Sequence, residues 1–311
     1  MDKASKIYIA GHTGLFGGAT LRLLRDEGYK NFVLRTHSEL DLTRQAEVEK
    51  FFAEEKPEYV FFMCGKVGGI KANAENMFEF TAENLKMSMN IIEAAHNFGV
   101  KKLLYLGSSC MYPKHSQNPI KENSLLTGEI EPTNEGYALS KIIGLKLCAY
   151  LKRQYGDSFI SCIPSNVYGP GDSFDTSRNH VIPALIERFH RAKSNNIDAV
   201  EIWGSGEPRR DFLYIDDAVS ACIWLMKNYN EVEPINIGTG KSITIRELAE
   251  TTAKVVGFKG KLIFDKSKPD GMLLRALDSQ KIFSSGWRPK VSLEEGLRRT
   301  YDYYLKSEVN K

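Results

Sequence analysis

The feature that most constrains the fold is an alternation of two sequence patterns through the first half of the chain. Short runs rich in β-branched and aromatic residues predict strands at 6–10, 31–35, 59–63, 101–107 and 159–164. The longer segments between them have the apolar spacing typical of helices, at 14–28, 44–55, 73–98 and 135–155. Strands that alternate with helices form right-handed βαβ units around a parallel sheet. The strands are apolar on both faces, as expected of a sheet covered by helices on both sides.

The second half of the chain is organised differently. After about residue 165, turn-forming residues become frequent, the strands become short and the helices lie far apart. The sequence SLEE at 292–295 matches a capping box and predicts a helix that starts near Ser292. We therefore predict an α/β protein with a first domain at 1–166 and a smaller α+β substrate domain at 167–311. Some segments of the second domain are expected to return to the first.

Composition excludes several classes of function. The 311 residues are 42% apolar and 26% charged, with a net charge of +3, which is typical of a globular protein and argues against a nucleic-acid or membrane surface. No apolar run resembles a signal peptide or a membrane span. The five cysteines are widely spaced without a CxxC pair, which disfavours a disulfide framework or a zinc site. We expect a reduced, cytoplasmic protein that binds no metal.

A glycine-rich loop lies directly between the first predicted strand and the first predicted helix. In the sequence GHTGLFG, the glycines are Gly11, Gly14 and Gly17. Glycines at this position permit a tight turn and let backbone N–H groups approach a pyrophosphate at the helix N-terminus. The loop predicts dinucleotide binding and therefore a Rossmann-type doubly wound sheet, whereas the same pattern elsewhere would more often be a plain turn.

The end of the second strand bears on the choice of dinucleotide. An acidic residue here would bind the ribose 2′-hydroxyl of NAD, whereas basic groups suit the 2′-phosphate of NADP. The sequence VLRTHSELDL has no acid before Glu39 but carries Arg35 and His37. This favours NADP, although both basic residues could simply be solvated.

A tyrosine and a lysine lie one helical turn apart. Tyr137 and Lys141, in YALSK, share one face of the predicted helix 135–155. A neighbouring ammonium group lowers the pKa of a phenol, so we expect Tyr137 to act as an acid or base near neutral pH. Ser108 follows the fourth strand and could hydrogen-bond a substrate carbonyl. A buried tyrosine beside a lysine that reaches for solvent is the structural alternative.

The glycine loop, the serine after the fourth strand and Tyr-x-x-x-Lys on the next helix occur in an order that resembles the extended short-chain dehydrogenase/reductase superfamily. Further stretches resemble one of its branches, the GDP-L-fucose synthase family. They are KVGGI (66–70), GSSCMYP (107–113), EPTNEGYALSK (131–141), NVYGPGDSF (166–174), NHVIPALIERFH (179–190), WGSGEPRRDFLYIDD (203–217) and KPDG (268–271).

This resemblance implies a reaction and two further catalytic residues. Members of the family invert C3 and C5 of GDP-4-keto-6-deoxy-D-mannose through enolates and then reduce the C4 ketone with NADPH, giving GDP-L-fucose. Such chemistry needs two proton carriers besides the reductase tyrosine, and the resemblance assigns them to Cys110 and His180. A thiol and an imidazole can both be poised near neutral pH. Without the resemblance, Cys110 would be read as a small buried residue and His180 as the start of a helix.

The resemblance also implies the binding residues and the quaternary structure. The substrate site is expected to contain Arg188, Trp203, Arg210 and Asp270. The cofactor site is expected to include Asp41, Leu42, Pro164, Asn166 and Val167, with Lys141 on the nicotinamide ribose. Two departures weaken the preference for NADP: well-known bacterial members carry arginine at the positions of Thr13 and His37. A homodimer is expected through the helices 73–98 and 135–155.

Other functions remain open at this point. A nucleotide-sugar 4-epimerase would not need Cys110 and His180, and a dehydratase would usually carry an acidic pair after the serine. A relative that makes GDP-L-colitose would use similar residues. A non-catalytic dinucleotide sensor would have no use for Ser108, Tyr137 and Lys141, and consumption of NADPH with a keto-sugar nucleotide would separate it from an enzyme.

Overall fold

The computed structural model describes residues 1–174, 180–268 and 270–309, so Asn179 and Pro269 of the stretches above lie outside the described residues. The strands are β1 Ile7–Ala10, β2 Phe32–Val33, β3 Tyr59–Phe62, β4 Lys102–Leu106, β5 Phe159–Pro164, β6 Asn166–Tyr168, β7 Ala199–Trp203, β8 Arg209–Arg210, β9 Phe212–Tyr214, β10 Ile235–Ile237, β11 Ile243–Thr244, β12 Lys261–Asp265 and β13 Leu274–Arg275. The helices are α1 Leu15–Asp26, α2 Gln45–Glu55, α3 Ile70–Glu75, α4 Met77–Asn97, α5 Glu135–Tyr155, α6 Val181–Ser194, α7 Ile215–Asn228, α8 Ile245–Val256, α9 Gln280–Ser284 and α10 Leu293–Val309.

The centre of the fold is a six-stranded sheet in the order β10-β5-β4-β3-β1-β2, and every pairing in it is parallel. The predicted α/β class and the doubly wound parallel sheet are confirmed. Its sixth strand, β10, comes from the second half of the chain and pairs with β5. The strands alternate their side chains between two apolar layers: Ile7 and Ile9 pack into one core, and Tyr8 and Ala10 into the other.

Two predicted elements differ in detail from the structure. Strand β2 contains only two residues instead of the five expected. The long helix predicted at 73–98 is divided into α3 and α4 at Asn76, whose φ of −130° and ψ of 42° are not helical. The Asn76 side-chain amide donates to the Ala72 carbonyl at 3.0 Å. An asparagine that bonds the preceding turn in this way competes with continued helix formation.

The second half of the chain forms short sheets and helices beside the central sheet. Strands β6 and β9 pair in parallel, as do β7 and β12, while β8 lies between β11 and β13. Helix α10 begins one residue after Ser292, whose hydroxyl accepts from the Glu295 N–H at 3.3 Å. The predicted helix start is therefore confirmed. The Glu295 carboxylate accepts from Arg298 and Arg299.

Candidate active site

The predicted site residues follow the carboxyl ends of neighbouring parallel strands. The glycine loop follows β1, Ser108 follows β4, and Asn166 follows β5. Because β1, β3, β4 and β5 are adjacent and parallel, these ends meet at one edge of the sheet. Open α/β sheets bind their ligands at this edge.

Two glycines of the loop, Gly11 and Gly17, have no room for a side chain. Gly11 has a φ of +84°, in the left-handed region. A Cβ on Gly17 would stand 2.0 Å from the Gly11 carbonyl oxygen. Helix α1 starts directly after Gly14 with no acidic residue in its first turn, so its N-terminal N–H groups and positive dipole end suit an anion. The buried Nδ1 of His12, in the same loop, has no hydrogen-bond partner within the described ranges. These observations fit a dinucleotide pyrophosphate.

The basic residues after β2 are partly engaged by the protein itself. The Arg35 guanidinium donates to Glu55 Oε1 at 2.5 Å and to the Leu34 carbonyl at 2.9 Å. Glu55 also pairs with Lys6. Hydrogen bonds from Thr43 lower the pKa of Asp41, and the nearby His37 adds to this effect. Leu42 is buried. Arg35 therefore lies where the sequence predicts a 2′-phosphate, but with its charge shared by a carboxylate.

The turn after β4 brings Cys110 to Ser108. Residues Ser109–Met111 form one turn of 3-10 helix with Ser108 as its cap. The Cys110 thiol donates to Ser108 Oγ at 3.1 Å. Burial raises the pKa of the Cys110 thiol, while the hydrogen bond with Ser108 and the charges of Arg275 and Lys141 lower it. The thiol is therefore held in a hydrogen-bonded, electropositive position.

Tyr137 and Lys141 lie in the same site, but the expected effect of the lysine on the phenol is wrong. Burial raises the pKa of Tyr137 well above its ordinary value, Cys110 and Tyr105 add to this, and a hydrogen bond with Ser108 opposes it. Lys141 is itself buried, which lowers its pKa, and its amino group donates to the Leu106 carbonyl at 3.0 Å. Desolvation therefore dominates the pKa of the phenol. Tyr137 is poised as a neutral phenol, which can donate a proton.

His180 lies at the start of α6, next to an acidic residue that the sequence reasoning did not single out. Its Nδ1 is 3.6 Å from Asp172 Oδ1, an ion-pair distance that is too long for a good hydrogen bond. The Asp172 side chain is only 7% exposed, whereas that of His180 is 53% exposed. The carboxylate raises the pKa of His180, although burial opposes it. Asp172 lies within NVYGPGDSF, so the motif contained it, but no spacing rule marked it as the partner of a histidine.

Of the residues expected to bind the substrate, Arg188 and Trp203 lie side by side, Asp270 lies close to Trp203, and Arg210 lies on β8. Arg188 and Trp203 lie together, with the guanidinium 6.0 Å from the indole ring, and both line a cavity of about 310 Å³. Trp203 is 63% exposed, which leaves one ring face available for stacking. Asp270 accepts from the N–H and the hydroxyl of Ser205, close to Trp203. Arg210 lies on β8, where it donates to the Met272 carbonyl at 2.6 Å.

The residues expected beside the nicotinamide lie at the end of β5. Pro164 is the last residue of this strand, and Asn166 and Val167 belong to β6. The Asn166 amide donates to the Asp211 carbonyl at 3.0 Å. The hydroxyl of Ser165, between them, is buried and makes no hydrogen bond to any described residue. A polar atom of this kind is expected to meet a ligand or a water molecule.

A second residue missed by the sequence reasoning is Arg275, whose guanidinium donates to the carbonyls of Ser109 and Tyr112 around Cys110. It lies more than 160 residues away in sequence, so no local pattern could indicate the contact.

The described part of the chain contains no helix with the length and apolar character of a membrane span. No cluster of three or more potential metal ligands occurs among those residues either.

The chain resembles known proteins along its whole length. A model of the NAD dependent epimerase/dehydratase family matches residues 7–238. GDP-L-fucose synthase 1 of Arabidopsis thaliana is 52% identical over 310 residues, which cover 100% of this chain and 96% of that protein. The GDP-L-fucose synthase of Escherichia coli strain K12 is 47% identical over 312 residues, covering 97% of each. The crystal structure of a GDP-L-fucose synthetase from Naegleria fowleri bound to NADP has a TM-score of 0.90 and 28% identity, covering 99% of this chain and 96% of that one.

Proposed function

Because the chain belongs to the NAD dependent epimerase/dehydratase family, and within it to the GDP-L-fucose synthases, we propose that it converts GDP-4-keto-6-deoxy-D-mannose to GDP-L-fucose. The reaction has two stages, inversion at C3 and C5 followed by reduction of the C4 ketone. The observation that carries the proposal is the 3.1 Å hydrogen bond between Cys110 and Ser108, in contact with Tyr137. A simple reductase needs the two hydroxyls but has no use for the thiol.

The hydroxyls of Ser108 and Tyr137 hold the C4 oxygen of the sugar. When a proton leaves C3 or C5, negative charge develops on this oxygen, and two hydrogen-bond donors stabilise the enolate as an oxyanion hole does. The raised pKa of Tyr137 keeps the phenol protonated near neutral pH. The phenol can therefore donate its proton to the C4 oxygen during reduction.

Cys110 and His180 move the protons at carbon. Burial raises the pKa of the Cys110 thiol, and the cations Arg275 and Lys141 partly offset this effect in favour of the thiolate, which is the form that can remove a proton. The carboxylate of Asp172 favours the protonated form of His180, which is the form that can deliver one. We assign Cys110 as the base because two cations lie near its thiol, and His180 as the acid because a carboxylate lies beside its ring.

NADP(H), when bound, supplies the hydride for C4. The glycine loop and the N-terminus of α1 would hold the pyrophosphate. Arg35 and His37 would bind the 2′-phosphate, and Asp41 and Leu42 would lie near the same end of the cofactor. Lys141 would hydrogen-bond the nicotinamide ribose, and Pro164, Asn166 and Val167 would border the nicotinamide. Since Glu55 shares the charge of Arg35, we expect a moderate preference for NADPH, with NADH also used.

Arg35→Ala should raise the KM for NADPH by about tenfold and leave the KM for NADH almost unchanged, because one charge-assisted hydrogen bond contributes about 1.5–3 kcal/mol. Steady-state kinetics with each cofactor measures the effect. Arg25→Ala serves as a matched control, since Arg25 lies in the last turn of α1, away from the glycine loop. An equal loss with both cofactors would show that Arg35 does not contact the 2′-phosphate.

The substrate is held at the other end of the site. Arg210 on β8 and Arg188 on α6 are suited to bind the negative charge of the diphosphate. Trp203 can stack on the guanine base, and Asp270 can accept hydrogen bonds from the base. In this proposal the GDP-binding residues lie in the segment 167–311, and the cofactor-binding residues lie in the segment 1–166 together with Val167. Five free cysteines and a nucleotide-sugar substrate agree with a cytoplasmic location.

We also propose that the chain forms a homodimer through α4 and α5. Apolar side chains are exposed along one face of each helix: Phe78 and Met89 on α4, and Leu139, Ile143 and Tyr150 on α5. Their spacings of eleven, four and seven residues keep each set on one face. Several exposed apolar side chains on two helices that pack together are typical of a subunit interface.

Ile143→Glu should weaken the dimer by about 100-fold, because an unpaired carboxylate would be buried at the interface at a cost of several kcal/mol. Sedimentation equilibrium or light scattering across a dilution series measures the dissociation. Ile263→Glu is the control, since Ile263 is also exposed but lies on β12. If the wild-type chain is monomeric at micromolar concentration, or if the two variants behave alike, the proposed interface is wrong.

The proposed function is tested by incubating the purified chain with GDP-4-keto-6-deoxy-D-mannose and NADPH and determining the product by NMR. GDP-L-fucose is expected. A product reduced at C4 with C3 and C5 unchanged would leave a simple reductase. If this substrate is not turned over, the precursor of GDP-L-colitose is tried next, and turnover of that compound alone would replace the proposal.

A further inference from the structure

Arg275 connects the second half of the chain to the turn that carries Cys110. It is the last residue of β13, which pairs in parallel with β8. From there its Nη2 donates to the carbonyl of Ser109 and, at 3.3 Å, to that of Tyr112. These two carbonyls lie on either side of Cys110 in the chain. The guanidinium therefore fixes the backbone on both sides of the thiol.

The guanidinium of Arg275 forms no salt bridge with a described carboxylate. Burial lowers the pKa of this guanidinium, and the first charge that opposes the effect is that of Cys110, followed by Glu131 and Tyr112. Among the described residues, no carboxylate oxygen lies within 4.0 Å of a guanidinium nitrogen of Arg275 or of its strand neighbour Arg210. The proximity of Arg275 also lowers the pKa of Arg210. A partly buried cation without a close carboxylate is costly, so an anion is expected beside it.

We propose that Arg275 is a positioning residue for Cys110: its two hydrogen bonds hold the turn, and its charge stabilises the thiolate that removes the substrate proton. This inference rests on the proposed function for its role in the reaction, but the effect on the thiol is a property of the free protein. It assigns the anion that the buried guanidinium lacks to the side chain of Cys110.

Other groups around Cys110 do not replace this charge. Ser108 is a neutral hydrogen-bond partner, and the phenols of Tyr137 and Tyr105, whose pKa values are raised chiefly by burial, are neutral as well. Lys141 is a cation, but it donates to the Leu106 carbonyl, and burial lowers its pKa. A guanidinium keeps its charge at every pH at which the protein is folded. Arg275 is therefore the permanent positive charge at the thiol.

The test is the pH dependence of alkylation of Cys110 by iodoacetamide in the substrate-free protein, measured by mass spectrometry of the peptide. Arg275→Gln keeps a hydrogen-bond donor but removes the charge. The midpoint for Cys110 should rise by about one pH unit and the alkylation rate at pH 7 should fall about tenfold, since one pKa unit is a factor of ten. Arg275→Lys keeps the charge and should keep most of the wild-type midpoint.

Two controls make the result specific. The alkylation rate of Cys64, which is partly exposed, should not change, because a general loosening of the protein would raise it. The affinity for GDP, measured by calorimetry, should also be unchanged in Arg275→Gln. Both readouts are independent of turnover, so a failure of the proposed reaction would not alter them.

Three outcomes would overturn the inference. An unchanged midpoint in Arg275→Gln would mean that the guanidinium only supports the backbone. A fall in GDP affinity with an unchanged midpoint would make Arg275 a ligand of the diphosphate. If Arg275→Gln does not fold, Arg275→Lys decides: a midpoint that rises by a full unit in spite of the retained charge would contradict the proposal, whereas a midpoint near that of the wild type would support it.

Discussion

Tyr137→Phe is expected to lower the rate of C4 reduction by about 10²–10⁴-fold, the usual contribution of a positioned general acid, while hydrogen exchange at carbon continues. Phenylalanine preserves the buried ring but removes the proton that the C4 oxygen must receive. The loss of the phenol hydroxyl also removes one of the two hydrogen-bond donors to the enolate. Hydrogen exchange should therefore slow, but by less than reduction. The oxidation of NADPH measures the loss of reduction. The incorporation of deuterium into recovered substrate measures the hydrogen exchange that remains.

The matched control is Tyr155→Phe on the same helix, where the side chain is exposed and lies about five turns from Tyr137. This variant should reduce the ketone at the wild-type rate. If Tyr137→Phe retained more than about a tenth of wild-type reduction, a general-acid contribution of the usual size would be excluded, and another group would have to supply the proton.

Cys110→Ser is expected to suppress deuterium exchange and epimerisation by about 10²–10⁴-fold. A serine of similar size keeps the turn and its hydrogen bond, but an alcohol is far less acidic than a thiol and does not form the anion that removes a proton near neutral pH. Reduction of the unepimerised ketone should then become the main reaction, because Ser108 and Tyr137 remain. The product should retain its original configuration at C3 and C5.

A second cysteine provides the control for loss of a thiol. Cys148 lies on α5 and is buried in the apolar core, so Cys148→Ala should lower the stability of the protein without changing the ratio of exchange to reduction. Undiminished formation of the epimerised product by Cys110→Ser would mean that the thiol is a structural residue, and the base would have to be sought elsewhere.

The elements that the sequence predicted well are those with a strong local signal. The buried strands β1, β3, β4 and β5 are continuous apolar runs between turn-forming residues, and the structure places them within a residue or two of their expected bounds. The break at Asn76 was missed because asparagine is tolerated inside helices, and only its bond to Ala72 ends the first one. The sixth strand, β10, is three residues long and pairs only through tertiary contact with β5.

The residues of the candidate site also differ in how strong their local sequence signal is. Gly11, Ser108, Tyr137 and Lys141 could be selected because each has a fixed place relative to a strand or a helical turn. The direction of the Tyr137 pKa shift was predicted wrongly, since burial is a property of the folded protein and dominates the pKa of the phenol. Asp172 and Arg275 act on His180 and Cys110 through contacts that only the fold creates. The sequence could therefore indicate the reacting groups, but not the charges that set their protonation states.

The central claim is that one site both epimerises and reduces the sugar, and the number of carbon-bound deuterium atoms in the product tests it most directly. The purified chain is incubated with GDP-4-keto-6-deoxy-D-mannose and NADPH in D₂O, and the mass of the GDP-sugar product is measured. Two carbon-bound deuterium atoms are expected in the product, together with reduction of the ketone. A reduced product that contains no carbon-bound deuterium would contradict the central claim, because proton transfer at C3 and C5 would not have taken place.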